Sequence, residues 1–167
     1  MRKLIAVSGS DGDDINLSSK TLKVAEEVGH YIAEHSAVLL CGGRGGIMEA
    51  ASKGAKKNGG LTVGILPKSK AEANDFIEVA IPTGLDNARN YVLINGADAV
   101  IGICGRWGTL NEISYALSIG KPTIVIKGTG GWVDLVSDPE IVKGFARKPL
   151  VANSAKEAVE MAIEMCD

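Results

Sequence analysis

The sequence predicts an α/β protein with one doubly wound, Rossmann-like parallel sheet and helices on both of its faces. Short apolar runs alternate along the chain with segments of helical spacing, and most of the 21 glycines stand where a strand should end. Strands that are separated by helices pair in parallel, because a parallel connection needs a crossover. No linker, charge block or low-complexity segment divides the chain, so we expect a single domain over residues 1–167.

Seven apolar runs predict the strands of this sheet. The runs are short, and they end at glycine, proline or polar residues, which interrupt regular structure. Pro67 stops the third run and Pro82 stops the fourth. The strands are predicted at residues 4–7, 38–41, 61–65, 76–81, 99–103, 123–126 and 150–151.

Helical spacing and capping residues predict the helices between the strands. The first helix begins near Ser18, a good N-cap, and places apolar residues on one face as far as Ile32. Gly120 closes the helix that follows the fifth strand, and the final helix opens with the capping box Ser154 and Glu157. The other helices are predicted at residues 48–58, 86–95 and 109–119, whereas residues 132–148 show no clear pattern.

Composition and charge exclude several classes of function. A net charge of −2 implies no broad basic face, so we expect no nucleic-acid partner. No apolar run approaches the ~18 residues of a membrane-spanning helix, so we expect no membrane partner either. The cysteines are odd in number and far apart, which predicts reduced thiols in the cytoplasm and neither a disulfide framework nor a metal site. They are Cys41, Cys104 and Cys166.

Two glycine-rich loops with similar sequences predict the functional site. Residues 104–112 read C-G-R-W-G-T-L-N-E, residues 41–49 read C-G-G-R-G-G-I-M-E, and each loop joins a strand to a helix. The carboxyl ends of parallel strands meet at one edge of the sheet, where ligands bind, and helix N-termini attract anions. The two loops could therefore hold two charged or polar parts of one ligand. The residues predicted to bind it are Gly42, Gly43, Arg44, Gly45, Gly46, Gly105, Arg106, Gly108 and Thr109, together with Gly9 and Ser10 after the first strand.

Two common nucleotide-binding motifs do not occur in the sequence. The dinucleotide fingerprint G-x-G-x-x-G is not formed, since position 48 is Met, and there is no G-x-x-x-x-G-K-[ST] loop for nucleoside triphosphates. NAD binding and ATP hydrolysis are therefore disfavoured. A monophosphate or a similarly small anion remains as the expected ligand.

The motif Gly105-x-x-Gly108-Thr109-x-x-Glu112, with Arg89 on the preceding helix, resembles the Lonely Guy family. Members of that family are phosphoribohydrolases, which release a free base and ribose 5-phosphate from nucleoside 5′-monophosphates. The resemblance implies that Arg89 and Glu112 are the catalytic residues. It also implies a homodimer or homotetramer. Separately, no cluster of metal-ligating residues in the sequence calls for a metal.

A closer resemblance is to a sister branch of that superfamily, the molybdenum-cofactor carrier-like proteins. The shared motifs are residues 42–50, 64–67, 81–84 and 88–90, and the match extends from residue 5 to about residue 131. This resemblance implies a bound phosphorylated pterin or nucleotide. The further residues that it places beside the site are Thr83, Gly84 and Asn90.

Three positions depart from the hydrolase pattern. Asn90 replaces a Lys, Cys104 replaces a Pro, and Arg106 replaces the second Gly of the motif. Arg106 either obstructs the approach of a phosphate or adds a guanidinium group to the anion site. Glu112 either complements the dipole of its helix or takes part in chemistry, and the recurrence of Glu49 at the same offset leaves both roles open.

The sequence thus supports two hypotheses of function. In the first, the protein binds a phosphorylated, nucleotide-like molecule and hydrolyses the N-glycosidic bond of a nucleoside 5′-monophosphate. In the second, it is a non-catalytic carrier for the molybdenum cofactor or a related phosphorylated pterin. Neither hypothesis requires a further cofactor, and both leave open whether Arg44 is a phosphate ligand or only a loop charge.

Overall fold

The computed structural model describes residues 1–166 and has the predicted α/β architecture. Seven strands form one sheet: β1 (Leu4–Gly9), β2 (Val38–Cys41), β3 (Thr62–Leu66), β4 (Val79–Pro82), β5 (Ala99–Ile103), β6 (Thr123–Ile126) and β7 (Leu150–Ala152). All neighbouring strands pair in parallel, in the order β4-β3-β2-β1-β5-β6-β7. The doubly wound, Rossmann-like fold class is therefore confirmed.

The helices of the described chain alternate with these strands. They are α1 (Ser19–Glu34), α2 (Ile47–Lys57), α3 (Arg89–Gly96), α4 (Trp107–Ser118), α5 (Gly131–Val136) and α6 (Ala155–Glu164). As predicted, serine hydroxyl groups cap the first and the last of them. Ser18 Oγ lies 3.0 Å from the backbone nitrogen of Thr21, and Ser154 Oγ lies 3.2 Å from that of Glu157.

Alternate residues of the central strands fill two different cores. Val7 and Cys41 pack among residues of α1, α2 and α6 on one face of the sheet. Ala6 and Leu40 pack against α3 and α4 on the other face. Because side chains alternate along a strand, Ser8 lies on the same side as Ala6, and its hydroxyl group points toward α4. The sheet thus presents a buried polar group of β1 to the helix that carries Glu112.

Several element boundaries differ from the predicted ones. β1 continues to Gly9, two residues beyond its predicted end, and the predicted helix at 86–95 begins as a 3-10 turn that becomes α-helical at Arg89. The predicted strand at 76–81 starts only at Val79, and the Thr62 hydroxyl holds the residues before it by donating to the carbonyl of Phe76 and accepting from the N–H of Glu78. Residues 132–148, which had no clear pattern, contain most of α5.

Helices α1 and α2 approach each other closely at two glycines. A methyl group on Gly29 would lie 2.7 Å from the nitrogen of Ala55 and would overlap the carbonyl of Ala51. A methyl group on Gly54 would meet the backbone of Glu26 in the same way. The crossing therefore depends on the absence of a side chain at both positions.

We expect Gly29→Ala to lower the free energy of unfolding by up to about 2 kcal/mol, because the helices must move apart at an overpacking cost of about 1–3 kcal/mol. The ~1 kcal/mol that alanine gains over glycine in a helix offsets part of that cost. Urea unfolding of the variant measures the change. Gly144→Ala is the matched control, since a methyl group there meets nothing within 4 Å. An unfolding free energy for Gly29→Ala equal to that of the control variant would contradict this packing.

The order of the strands places the candidate site. From β1 the chain builds the sheet outward to β4 and then crosses back to put β5 on the other side of β1. In an open parallel sheet, this point of reversal leaves a crevice at the carboxyl ends of the two strands. Here those ends are Gly9 and Ile103, each followed by a loop that the sequence singles out.

Candidate functional site

A cavity of about 580 Å³ opens at the point of reversal. We call it the cleft, and we define it by its lining residues 7–11, 42, 44, 48, 87–91, 106–109, 111 and 112. Its walls are the end of β1, the residue after β2, and the first turns of α3 and α4. A cavity of this size and position is typical of a site for a small molecule.

The structure brings ten of the sixteen predicted site residues to the cleft and leaves six outside it. Those that line the cleft are Gly9, Ser10, Gly42, Arg44, Arg89, Asn90, Arg106, Gly108, Thr109 and Glu112. Those that do not are Gly43, Gly45, Gly46, Thr83, Gly84 and Gly105.

The residues outside the cleft have structural contacts of their own. The Gly43 carbonyl accepts a hydrogen bond of 2.8 Å from the backbone N–H of Asn74, and Thr83 Oγ1 donates to the carbonyl of Leu66 at 2.9 Å. Gly105 has φ +105°, and a side chain there would collide with Thr109. These positions shape the turns around the cleft without reaching it.

The start of α2 is covered by the loop that follows β1. The N–H of Ile47 donates to the carbonyl of Ser10 at 2.9 Å, and Gly46 has no room for a side chain beside residues 10–12. Of the two helix N-termini that were expected to face a ligand, only that of α4 is therefore fully open. Its first turn contributes Gly108 and Thr109 to the cleft, and no side chain of residues 1–166 caps it.

The two loops are less alike in structure than in sequence. Helix α2 begins six residues after Cys41, whereas α4 begins three residues after Cys104. Glu49 consequently lies in the first turn of α2 and is exposed, while Glu112 lies in the second turn of α4 and is only 6% exposed. The predicted helix at 109–119 would place Glu112 in its first turn, and that placement is wrong, because α4 begins two residues earlier. The similar position of Glu49 in the other loop does not bear on the role of Glu112, because the two carboxylates occupy different environments.

Arg89 and Glu112 meet at the floor of the cleft. Nη1 of Arg89 lies 3.7 Å from Oε1 of Glu112, and both residues are at least nine-tenths buried. A methyl group on Gly42 would lie 2.7 Å from Cζ of Arg89, so the glycine makes room for the guanidinium group. Within the part of the chain that the structure describes, Nε and Nη1 of Arg89 have no hydrogen-bond partner.

The Ser8 hydroxyl donates a hydrogen bond to Oε2 of Glu112. Burial raises the pKa of the Glu112 carboxyl above its ordinary value, and the Arg89 charge and the Ser8 hydrogen bond oppose that rise. A carboxyl group that is held in this way by two neighbours has a fixed orientation. The arrangement can present either one carboxylate oxygen or its proton to a ligand in the cleft.

Arg106 replaces the glycine of the hydrolase motif without backbone strain. Its φ is −103°, an ordinary value, so the backbone carries no strain at this position. Its guanidinium group pairs with Asp13, and its Nε lies 4.0 Å from Oδ2 of Asp14. Arg44 likewise pairs with Asp11, at 3.2 Å. The loop after β1 thus supplies counter-charges to both arginines. Their half-exposed side chains mark the opening of the cleft to solvent, which we call the mouth.

Cys104, which stands where the hydrolase motif has a proline, has a backbone conformation that proline cannot adopt. Its φ is +56°, which the proline ring does not allow, and its N–H donates to Oγ1 of Thr129 at 2.9 Å. Thr129 is buried and also donates to the carbonyl of Ile126. A hydrogen bond to Thr129 therefore fixes this turn where the family motif has a proline.

Sequence reasoning missed Ser8, Asp13, Asn111 and Thr129. Asn90 donates to Oδ1 of Asn111 at 3.0 Å, so the residue that replaces the hydrolase lysine is itself bonded to α4. A period of two along β1 could have indicated Ser8, because it is the one polar residue in an otherwise apolar strand. Nothing local to the sequence could have paired the other three, since their partners are distant in the chain.

A model of the SLOG cluster4 family matches residues 2–161. The chain belongs to the SLOG cluster4 family. Among solved structures, the molybdenum cofactor binding protein of Rippkaea orientalis is 36% identical with a TM-score of 0.88, over 100% of this chain and 99% of that one. The molybdenum cofactor carrier protein of Chlamydomonas reinhardtii is 29% identical with a TM-score of 0.83, over 99% and 98% of the two chains.

A third relative of this SLOG protein is named as a hydrolase. The cytokinin riboside 5′-monophosphate phosphoribohydrolase of Mycobacterium tuberculosis is 28% identical over 158 residues, which cover 84% of each chain. The predicted resemblances to the Lonely Guy superfamily and to its molybdenum-cofactor carrier-like branch are both confirmed.

Two kinds of structural feature are missing from the described residues of this SLOG protein. Residues 1–166 contain no helix that is both long and apolar enough to cross a membrane. The same residues contain no group of three or more histidine, cysteine, aspartate or glutamate side chains arranged to hold a metal ion.

Proposed function

We propose that the cleft binds a phosphorylated small molecule with a planar ring system, of the class of a nucleoside 5′-monophosphate or a phosphorylated pterin. The observation that carries the proposal is the guanidinium group of Arg89, which is buried beside the cleft. Its Nε and Nη1 have no hydrogen-bond partner among the described residues, although Nη1 lies 3.7 Å from Oε1 of Glu112. A buried donor without an acceptor costs about 1–3 kcal/mol. An anionic oxygen of the ligand would remove that cost.

The surroundings of Arg89 favour an anion as the missing partner. Guanidinium groups match the geometry of phosphate oxygens, which accept two parallel hydrogen bonds. The open first turn of α4, at Gly108 and Thr109, adds backbone N–H groups and the positive end of a helix dipole. The relatives named above are described as acting on, binding or carrying ligands of this chemical class.

Glu112 favours hydrolysis as a second candidate function. In that reaction water adds to C1′ of the ribose, the bond from C1′ to the base nitrogen breaks, and the base leaves with the proton that water gives up. The carboxylate of Glu112 would stabilise the positive charge that develops on the sugar, as carboxylates do in glycoside hydrolysis. Arg89 would hold the ligand through its phosphate or polarise the leaving base. Ser8 would keep the carboxylate oriented.

The carrier function needs the same contacts without turnover. The two relatives that are named for the molybdenum cofactor match this chain over almost its whole length. Arg89 suits the phosphate group of that cofactor as well as it suits a nucleotide, because both present the same anionic oxygens. The cofactor would be cargo held by the cleft, and Glu112 would then serve only to balance the buried charge of Arg89.

The test is to identify by mass spectrometry the small molecules that co-purify with the protein, and to assay ribose 5-phosphate release from a panel of nucleoside 5′-monophosphates. The proposal predicts a stoichiometric phosphorylated ligand with the wild type and with Arg2→Met, whose side chain is exposed, but not with Arg89→Met. Release of ribose 5-phosphate would support the hydrolase candidate. No bound ligand and no affinity for any phosphorylated probe would overturn the proposal.

We expect Asp13→Asn to tighten the binding of GMP by about two- to fivefold, because the change removes the carboxylate that neutralises Arg106 and so makes the cleft more positive toward the anionic ligand. The effect is small because exposed ion pairs contribute at most about 1 kcal/mol. Calorimetric titration at low salt measures it. Asp75→Asn is the control for a change of net charge at an exposed position outside the cleft. Equal tightening in both variants would show that Arg106 plays no part.

A further inference from the structure

The two tryptophans of the chain form a pair at the cleft. The ring centroids of Trp107 and Trp132 are 4.9 Å apart, and the ring planes are tilted by 53°. Trp107 lines the cleft as the first residue of α4 and is 73% exposed. An exposed indole beside a cavity is an apolar surface with a polar edge, and such surfaces commonly contact ligands.

Backbone hydrogen bonds hold this pair in place. The N–H of Trp132 donates to the carbonyl of Gly105 at 2.9 Å, and the N–H of Val133 donates to that of Cys104 at 3.1 Å. A methyl group on Gly131 would lie 2.8 Å from the nitrogen of Gly105, so the two turns fit together only because this residue has no side chain. The start of α5 is thereby fixed against the loop that precedes Trp107.

The position of Trp107 relative to the polar groups suits a ligand of nucleotide size. Trp107 and Glu112 are five residues apart on α4, which corresponds to roughly 7–8 Å along the helix axis. The N–H groups of Gly108 and Thr109 and the free donors of Arg89 lie on the same cleft. A molecule with a ring at one end and a phosphate at the other can therefore reach both kinds of contact at once.

We propose that Trp107 is the stacking platform for the planar ring of the ligand, with Trp132 supporting its indole. The inference rests on the proposed function, and it deepens that function by assigning the ring-binding subsite and the direction in which the ligand lies. The ring contacts Trp107 at the mouth, and the phosphate points inward to Arg89 and the first turn of α4. Stacking tolerates different bases, because every base has a π-face. The subsite therefore selects a ring-bearing phosphate over a bare sugar phosphate.

The experiment compares GMP with ribose 5-phosphate as probes. Guanine shares its amino-oxo-pyrimidine ring with pterins, whereas ribose 5-phosphate has the phosphate and no aromatic ring. Trp107→Ala should weaken GMP binding by about 10- to 100-fold in calorimetric titration, since the truncation removes the stacking of one base on an aromatic side chain. The binding of ribose 5-phosphate should stay unchanged. Trp107→Phe should restore most of the GMP affinity. GMP, unlike ribose 5-phosphate, should quench the fluorescence of the wild type, whose tryptophans are confined to this pair.

The possible outcomes separate this inference from the function on which it rests. GMP affinity that is unchanged in Trp107→Ala overturns the stacking platform and leaves the proposed function standing. An equal loss for both probes shows that the residue only shapes the start of α4, which also overturns it. Loss of an oligomer in sedimentation of Trp107→Ala, with GMP affinity intact, assigns the indole to a contact between copies instead. Failure of the wild type to bind either probe overturns the proposed function and the platform together.

Discussion

Arg89→Met should weaken the binding of GMP and of ribose 5-phosphate by roughly 30-fold to several thousand-fold, which corresponds to about 2–5 kcal/mol for loss of one partner of a buried charged contact. The reason is that Nε and Nη1 of Arg89 are buried without a hydrogen-bond partner among the described residues, so we expect the ligand to supply their acceptors. The loss should affect both probes alike, because the guanidinium group is expected to recognise the phosphate that they share. Calorimetric titration measures it.

Methionine keeps much of the volume of the Arg89 side chain, so this variant removes the charge with little change in packing. Arg2→Met controls for the loss of one positive charge at an exposed position and should bind both probes as the wild type does. Thermal unfolding monitors folding of the variants. A folded Arg89→Met protein with wild-type affinity would show that the buried donors serve only the ion pair with Glu112.

Glu112→Gln should lower the rate of ribose 5-phosphate release by about 10²- to 10⁴-fold if the protein hydrolyses nucleoside 5′-monophosphates. Glutamine keeps the shape of the side chain, but it removes the charge that would stabilise the developing oxocarbenium ion. The affinity for GMP should stay within a few-fold of the wild type. A single-turnover assay, with binding measured separately, distinguishes the two effects.

The pH dependence of this rate follows from the direction of the Glu112 pKa. Because burial raises that pKa, the ionised form is reached at a higher pH than for an ordinary glutamate, and hydrolysis should increase as the pH rises through it. Glu49→Gln is the matched control, since Glu49 stands at the same offset in the other loop but is exposed and outside the cleft. A rate that falls equally in both variants would remove Glu112 from the reaction. Absence of release by the wild type would leave only the carrier function.

The architecture was predictable because the signals for it are local and repeated. Every strand except β5 is followed directly by a glycine, a proline or a polar residue, and Ser18 and Ser154 mark the starts of α1 and α6. These signals specify which segments are strands and helices, and their alternation specifies a parallel sheet. The carboxyl edge of the sheet, and with it the position of Gly9, Gly42 and Gly108, follows from that topology.

The details of the cleft were not predictable, because they depend on where each helix begins and on contacts between distant residues. The two loops have the same spacing of Cys, Gly and Glu, but counted from the cysteine, α4 begins three residues earlier than α2. This difference buries Glu112 and exposes Glu49. The pairing of Arg106 with Asp13 joins residues that are 93 positions apart. Such contacts are set by the packing of the whole fold, and no local pattern records them.

Binding of a phosphate by Arg89 and the start of α4 can be observed directly in an NMR titration of the ¹⁵N-labelled protein with GMP, by TROSY spectra of the backbone amides and the arginine Nε–H groups. We expect the largest shifts at the amides of Gly108 and Thr109 and at the Nε–H of Arg89, which should move downfield as it gains an acceptor. Saturation by GMP with these three resonances unmoved, and with the largest shifts elsewhere, such as the groove between α1 and α2 beside Lys23 and Lys53, would contradict it.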